Sequence, residues 1–275
     1  MKGCQDKTPL GCCAYNLFMD STQRFTDRVD SYRLYRPRYP VDVVDRLRDH
    51  CHLQPNAAVV DVAAGTGLLT EIFLGRGYAV TAVEPNDGMR AACASLIRSF
   101  PKLQCVPGTA ERTGLASHSA DLITVAQALH WFDLPLARAE FLRVLRPGGW
   151  CAVVYNERRI GGDAFHDGYE CILREFGTDY EMIRNKYPRE QCLEEFFGSE
   201  HAGSGTMRWV TFPNAQEFGL EGLKGRILSS SYMPQPGHPR YTAMMRQIEK
   251  LFAQCQQDGR VRMDYDCVMS YGQMK

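Results

Sequence analysis

The chain has 275 residues, and its 32 basic and 32 acidic side chains give a formal net charge of zero. That balance gives no reason to expect a nucleic-acid partner, although a local basic patch stays open. Hydrophobic residues make up 44% of the chain and charged residues 23%, a composition typical of a soluble globular protein. No run reaches the roughly 18 apolar residues that a membrane helix needs, so no membrane partner is expected.

The 11 cysteines are an odd number and are scattered along the chain. The Cys-x-x-Cys spacing of zinc and redox sites does not occur, so we predict no metal site. Several of these cysteines lie inside apolar runs, which suits small core residues. Reduced thiols and a cytoplasmic location are therefore expected.

The first 23 residues, MKGCQDKTPLGCCAYNLFMDSTQ, have no continuous apolar core of signal-peptide length. We predict a variable arm at 1–22 and one domain at 23–275, with no internal repeat or interdomain linker. Within that domain we expect a lid at 23–40 and a cofactor-binding core at 41–156. The remainder, 157–275, is expected to shape the substrate pocket and to supply the last strands. The oligomeric state is left open.

Helical and strand patterns alternate through the first part of the domain. In chain order the predictions are a helix at 41–50, a strand at 58–62, a helix at 68–75, a strand at 79–84, a helix at 86–100, strands at 103–106 and 121–126, a helix at 135–145, a turn at 146–149 and a strand at 150–155. The runs AAVVDV, DLITVA and WCAVV are apolar without alternation, as strands covered on both faces are. The order predicts an α/β fold with a doubly wound, mostly parallel, Rossmann-like sheet.

The regular alternation of helix and strand patterns ends after Asn156. We predict helices at 164–176, 189–197 and 239–256 and a strand at 207–212. A turn and a terminal strand follow, and alternation puts one set of side chains on a single face of that strand: Val261, Met263, Tyr265, Cys267 and Met269. The two late strands are expected to form an antiparallel edge.

The segment VVDVAAGTGLLTE passes from a strand pattern through small residues into a helix pattern. Gly65 and Gly67 have no Cβ, so a ligand can approach the backbone there. The near-match to the dinucleotide pattern Gly-x-Gly-x-x-Gly ends in Thr70 and is weak evidence alone. Glu84 lies 19 residues after Gly65 at a strand end, where an acid can accept hydrogen bonds from both hydroxyls of a ribose. The glycine loop and Glu84 together predict an adenosine-containing ligand.

Further motifs follow in a fixed order: RVDSYRLYRPRYP, GTAERTGLASHSADLITVAQALHWFD, LRVLRPGGWCAVV and LSSSYMPQPGHPRYTAMMRQIEKLF. The set resembles the class I S-adenosylmethionine-dependent methyltransferases, in the small-molecule branch called type 11, which includes trans-aconitate-methyltransferase-like proteins. The resemblance covers about residues 25–272 and is not specific to a substrate. This chain departs from the family pattern at Ala63, where glycine is usual.

The resemblance implies an S-adenosyl-L-methionine cofactor and methyl transfer to an oxygen or nitrogen nucleophile of a small molecule, a carboxylate being one option. Asp61 is expected to anchor the loop and the methionine amino end, and Glu84 to bind the ribose. The cofactor-binding residues that the resemblance implies are Tyr32, Arg36, Asp61, Ala63, Gly65, Gly67, Glu84, Pro85, Met89, Ala110, Glu111, Gln127 and Ala128.

Catalytic candidates are His130, Tyr35 and Tyr155. His130 is able to move a proton near neutral pH, and a structural role that holds its loop stays open. The resemblance makes the segment with Tyr32, Tyr35 and Arg36 a lid. There an aromatic face can stabilise a sulfonium and Arg36 can pair with the cofactor carboxylate. We expect this lid to close over bound cofactor.

Three other functions stay open at this point. The same pocket could cleave or cyclise S-adenosylmethionine and release methylthioadenosine without any methyl acceptor. A non-enzymatic binding protein could retain the fold. An NAD-dependent oxidoreductase is disfavoured by Thr70 in place of the third glycine and by the Pro-Gly-Gly turn.

Overall fold

The computed structural model describes residues 29–185, 190–198 and 207–274, so the predicted arm at 1–22 and the start of the predicted lid lie outside the described residues. The strands are β1 Ala58–Val62, β2 Ala79–Val83, β3 Leu103–Val106, β4 Ala120–Ala126, β5 Leu145–Arg158, β6 Met207–Phe218 and β7 Val261–Gln273. Within this part of the chain they form one sheet in the order β3-β2-β1-β4-β5-β7-β6. Strands β1 to β5 pair in parallel, whereas β7 is antiparallel to β5 and β6. The predicted fold class is confirmed.

The helices that flank the sheet are α1 Val29–Tyr35, α2 Asp42–His50, α3 Thr70–Gly75, α4 Asp87–Ala94, α5 Leu134–Val144, α6 Ala164–Phe176, α7 Tyr180–Asn185, α8 Glu190–Phe197, α9 Leu220–Leu228 and α10 Tyr241–Cys255. Short 3₁₀ turns lie at Ser95–Arg98 and Leu129–Trp131. Among the described helices, none is both long and apolar enough to cross a membrane.

Two apolar layers cover the two faces of the sheet because neighbouring residues of each strand point to opposite sides. In β1, Val59 belongs to one buried cluster and Val60 to the other. In β4, Leu122 and Ile123 divide in the same way. Burial on both sides explains why these strands read as continuous apolar runs.

A third buried cluster joins the C-terminal helices to the last strand. Met244 and Ile248 of α10 pack with Leu223 of α9 and with the start of β7. The predicted inward face of β7 is buried throughout, from Val261 at 3% exposure to Met269 at 0%. This cluster holds α6, α9 and α10 together near the antiparallel edge.

The structure differs from the sequence predictions in one turn, one strand and two helices. The predicted turn at 146–149 is part of β5, where pairing shifts from Ala120–Leu145 to Leu122–Trp150 and leaves a bulge. Strand β6 extends beyond the predicted 207–212 to Phe218, and helices α7 and α9 were not predicted.

Helix α1 is docked on α9 rather than free in solvent. A Cβ at Gly225 of α9 would overlap the ring of Tyr35, so the glycine makes room for the tyrosine. Arg36 Nη2 donates a hydrogen bond to the carbonyl of Ser229 at 2.9 Å, and Gln216 Nε2 donates to the carbonyl of Tyr35 at 3.2 Å. These contacts fix α1 above the carboxyl ends of the central strands.

Candidate active site

Two adjoining cavities lie beyond the carboxyl ends of the central strands, where strand order reverses between β1 and β4. The smaller has a volume of about 180 Å³ and the larger about 310 Å³, and Tyr32 and Gln127 line both. Ten of the thirteen predicted cofactor-binding residues line the smaller cavity: Tyr32, Ala63, Gly65, Glu84, Pro85, Met89, Ala110, Glu111, Gln127 and Ala128. The sequence analysis missed other residues of this wall, namely Asn86, Thr109, Ala126, Trp131 and Phe132.

The backbone is in the left-handed region directly after two neighbouring strands. Ala63 follows β1 with φ 54° and Gln127 follows β4 with φ 58°, a conformation that side chains other than glycine seldom adopt. Gln127 is held there because its N–H donates to the Val154 carbonyl at 2.9 Å and its Nε2 to the Asn156 carbonyl at 3.1 Å. Both residues line the smaller cavity, and Gln127 lines the larger one as well.

The two glycines of the loop after β1 have different surroundings. Gly65 has φ 58° and lines the smaller cavity, and a Cβ built there meets no described protein atom within 4 Å. Gly67 has φ 86°, and a Cβ there would lie 2.8 Å from Cys93 Sγ and 2.9 Å from Leu96 Cδ1. Gly67 is absent from the described walls of both cavities. It therefore allows the loop to pack on the Cys93 and Leu96 side chains.

Glu84 ties the loop after β2 to the loop after β1. Its Oε2 accepts from the Gly65 N–H at 2.8 Å and its Oε1 accepts from the Asn86 N–H at 2.9 Å. The side chain is 6% exposed, and burial raises its pKa although both backbone hydrogen bonds oppose the rise. Each carboxylate oxygen keeps a second lone pair, so Glu84 can hold the loop and still accept from a ligand.

The loops after β2, β3 and β4 are also fixed by side chains near the smaller cavity. Asn86 caps α4 because its Oδ1 accepts from the Met89 N–H at 2.9 Å. The Met89 side chain is 3% exposed and lines the cavity, so it is both a core residue and a wall residue. Glu111 Oε1 accepts from the Asp133 N–H at 2.9 Å and joins the third loop to the fourth.

Asp61 anchors the first loop from beneath. Its Oδ2 accepts from Thr70 Oγ1 at 2.5 Å and its Oδ1 from Thr124 Oγ1 at 2.9 Å, so the carboxylate joins α3 to the strands below. Burial raises the pKa of Asp61 to about 6, against the effect of the two hydroxyls. It is absent from the described walls of both cavities, and its contact with a cofactor stays a prediction.

The lid segment contributes an aromatic ring and a cation. Tyr32 lines both cavities, and the Arg36 guanidinium carbon lies 5.0 Å from the centre of its ring. Arg36 lines the larger cavity, and its buried Nε has no hydrogen-bond partner among the described residues. One donor of Arg36 thus remains for a ligand atom.

The larger cavity has a strongly polar wall. Besides Arg36 it is lined by Arg158, Arg184, Arg226 and one acid, Glu157. Asn156 lies on the same wall, and its Nδ2 donates to the Arg38 carbonyl at 3.3 Å. Among the described residues, no group of three or more His, Cys, Asp or Glu side chains is placed to hold a metal ion.

Residues 60–153 match the family model described as "Methyltransferase domain". The matched stretch runs from within β1 through β2, β3 and β4, and it includes the loops that supply Ala63, Glu84, Ala110 and Gln127 to the smaller cavity. This stretch, about a third of the chain, is similar to that methyltransferase family. The expected resemblance is confirmed at this level, whereas its trans-aconitate branch is not.

Two methyltransferase relatives and one solved structure show how far the likeness extends. An uncharacterised methyltransferase of Mycobacterium tuberculosis is 40% identical over 150 residues, which is 52% of this chain and only 56% of that relative's length. An uncharacterised methyltransferase-like protein of Schizosaccharomyces pombe is 26% identical over 245 residues, 88% of this chain and 91% of that one. Haemonchus contortus phosphoethanolamine N-methyltransferase 2, solved with S-adenosyl-L-methionine, shares the fold with TM-score 0.54 and 12% identity, over 94% of this chain and 61% of that one.

The three predicted catalytic residues lie outside the described walls of both cavities. Tyr35 packs its ring on Gly225 of α9, and its catalytic role stays a prediction. His130 Nδ1 lies 3.3 Å from the Tyr155 hydroxyl, and its ring centre lies 4.5 Å from that of Trp131. The geometry favours the structural alternative for His130, which holds the loop that carries Trp131.

Proposed function

We propose that the chain binds S-adenosyl-L-methionine in the smaller cavity and transfers its methyl group to a small molecule held in the larger one. The observation that carries this proposal is that the two cavities meet at Tyr32 and Gln127. Two chambers with one shared boundary suit two reactants that must exchange a group. The methyltransferase family of the core supports the same reaction.

The residues of the smaller cavity fit the adenosine end of this cofactor. Gly65 leaves a cradle that a Cβ would fill, so the ribose can lie against the backbone. Glu84 accepts from the ribose hydroxyls with the lone pairs that its backbone bonds leave free. The adenine is assigned to the part of the cavity lined by Met89, Ala110 and Glu111.

The methionine end of the cofactor is assigned to the boundary with the larger cavity. Arg36 pairs with the carboxylate, since its buried Nε has no described partner. The Tyr32 ring faces the Arg36 guanidinium and lines both cavities. We assign to this ring the stabilisation of the cofactor's sulfonium. Gln127 and Ala128 border the reacting methyl group.

The bound cofactor supplies a methyl carbon that its sulfonium has already activated. The chain then has to hold the acceptor in line with that carbon and to exclude water. Helix α1, docked on α9, covers the boundary between the cavities and restricts solvent there. Because His130 and Tyr155 lie outside the described walls, the proposal assigns them no proton transfer.

Cofactor cleavage or cyclisation needs no second chamber, whereas the larger cavity measures about 310 Å³. The larger cavity therefore favours transfer to a separate acceptor. The test incubates the full chain with S-adenosylmethionine, first alone and then with a metabolite extract, and identifies the nucleoside product by mass spectrometry.

Methyl transfer predicts S-adenosylhomocysteine that forms only when the extract is added. Methylthioadenosine formed without extract would contradict the proposal. The Gly65→Val variant is the negative control, since it is expected not to bind S-adenosylmethionine and to form neither product.

A further inference from the structure

Arg226 is a buried cation on the wall of the larger cavity. It is 6% exposed, its Nε donates to the Tyr265 hydroxyl at 3.1 Å, and its Nη1 donates to Ser230 Oγ at 3.1 Å. No ion pair among the described residues includes Arg226. A buried charge without a counter-ion is costly, so a cation kept there indicates an anionic ligand.

Other arginines of the same wall are only partly neutralised. Arg158 and Arg184 both contact the Glu170 carboxylate, which also pairs with Arg174 outside the described cavity wall. Glu170 therefore serves three cations, and Glu157 is the acid on the wall itself. The carboxylates near this cavity are fewer than the arginines.

The positive charge that the carboxylates of the larger cavity do not balance can be assigned to two anionic groups of the reactants. Arg36, Arg158, Arg184 and Arg226 line the cavity, against Glu157 on the wall and Glu170 behind it, which leaves an excess of at least two positive charges because Glu170 also pairs with Arg174. The proposed function uses Arg36 for the cofactor carboxylate. At least one positive charge, centred on Arg226, is left for the second reactant.

We infer that the methyl acceptor is a small organic anion whose carboxylate or phosphate group binds to Arg226 and Arg184 in the larger cavity. This inference rests on the proposed function. The guanidinium of Arg226 has five N–H donors, and two of them are used by Tyr265 and Ser230. The others can bind two oxygens of one anion. The atom that receives the methyl group then points toward Tyr32 and Gln127, and the anchoring anion lies away from it.

A binding experiment tests the anion site without turnover. The full chain is saturated with S-adenosylhomocysteine and titrated by calorimetry, at constant ionic strength, with succinate, with glycerol 3-phosphate and with neutral succinamide. Saturable binding of either anion but not of succinamide is expected, and the two anions distinguish a carboxylate from a phosphate site. Equal binding of succinate and succinamide, or no saturable anion binding, would overturn the inference.

Variants separate the anion site from the general charge of the protein. Arg226→Met and Arg184→Gln are each expected to weaken anion binding roughly tenfold or more, the scale of a lost charged hydrogen bond. Arg226→Lys keeps the charge, so its affinity for the anion should lie between those of the wild type and Arg226→Met. Arg174→Gln is the matched control, because Arg174 and Arg184 contact the same Glu170 oxygen but only Arg184 lines the cavity. Equal losses in the two glutamine variants would contradict the assignment, even if Arg226→Met does not fold.

Turnover distinguishes this inference from the proposed function. A metabolite extract is divided on ion-exchange resins into anionic, neutral and cationic fractions, and each is incubated with the chain and S-adenosylmethionine. Formation of S-adenosylhomocysteine in the anionic fraction supports the inference. Formation only in the other fractions overturns it and leaves methyl transfer standing, whereas methylthioadenosine in every fraction contradicts the proposed function itself.

Discussion

Glu84 Oε2 accepts a hydrogen bond from the Gly65 N–H at 2.8 Å, so the acid at the end of β2 holds the loop that follows β1. The same carboxylate is proposed to bind the ribose. One side chain therefore shapes the loop and contacts the ligand. Changes at Glu84 should alter protein stability as well as affinity.

Glu84→Gln is expected to weaken binding of S-adenosylhomocysteine by about 1.5–3 kcal/mol, the scale of hydrogen bonds to a charged group. The amide can accept only one of the two backbone N–H groups, so the free energy of unfolding should fall by about 1 kcal/mol or more. Calorimetry and denaturant titration measure the two quantities. An unchanged dissociation constant would rule out the ribose assignment.

Gly67→Ala should act on stability through packing. The new Cβ would lie 2.8 Å from Cys93 Sγ and 2.9 Å from Leu96 Cδ1, at φ 86°. Overpacking of this kind costs typically about 1–3 kcal/mol, and the left-handed backbone adds to it. Thermal unfolding checks this. A variant with normal stability but no cofactor binding would return Gly67 to the cofactor-binding set.

Asp61 should make stability depend on pH. Its pKa is about 6 in the folded protein and 3.8 in the reference state, so ionisation disfavours folding. The stabilising contribution of the protonated acid is present below pH 3.8 and is lost as the pH rises through about 6. The stability of Asp61→Asn minus that of the wild type should therefore increase by about 2 kcal/mol between pH 4 and pH 7. Denaturant unfolding from pH 4 to pH 7 measures it, and a constant difference would contradict the assigned burial.

The docking of α1 should control ligand affinity. Gly225→Ala places a Cβ in the ring of Tyr35, so α1 must shift and carry Tyr32 and Arg36 with it. Weaker binding of S-adenosylhomocysteine and faster hydrogen exchange in α1 are expected. Gly222→Ala, on the same helix, is the control because its nearest neighbour, Phe218 Cδ1, lies 3.2 Å away and can yield. Equal affinity in the two variants would show that the position of α1 does not matter for binding.

Much of the central fold could be predicted from the sequence because it depends on local patterns. The bounds of β1 and β3 agree with the prediction to the residue. Helix α9 was missed because Gly222 and Gly225 lower its helix propensity, and the reason for Gly225 is the ring of Tyr35, which is distant in sequence. The bulge at Arg146–Gly149 was likewise taken for a turn, since Pro-Gly-Gly is typical of one.

The same distinction between local patterns and contacts distant in sequence applies to the candidate site. Most residues of the smaller cavity come from loops that follow successive strands, and Tyr32 comes from α1, so an ordered set of motifs locates ten of them. The arginines of the larger cavity come from four separate elements or loops, at Arg36, Arg158, Arg184 and Arg226. No local spacing joins them, and only the tertiary fold brings them to one wall.

Calorimetric titration of S-adenosylhomocysteine into the wild type, Gly65→Val and Gly77→Val tests the central claim most directly. Both glycines have positive φ, 58° and 88°, and a Cβ at either meets no described atom within 4 Å, but only Gly65 lines the smaller cavity. The two valines should therefore destabilise the fold by similar amounts, about 1–2 kcal/mol each. Gly77→Val should bind S-adenosylhomocysteine like the wild type, whereas Gly65→Val should not bind it. Normal binding by Gly65→Val would contradict the placement of the cofactor in the smaller cavity.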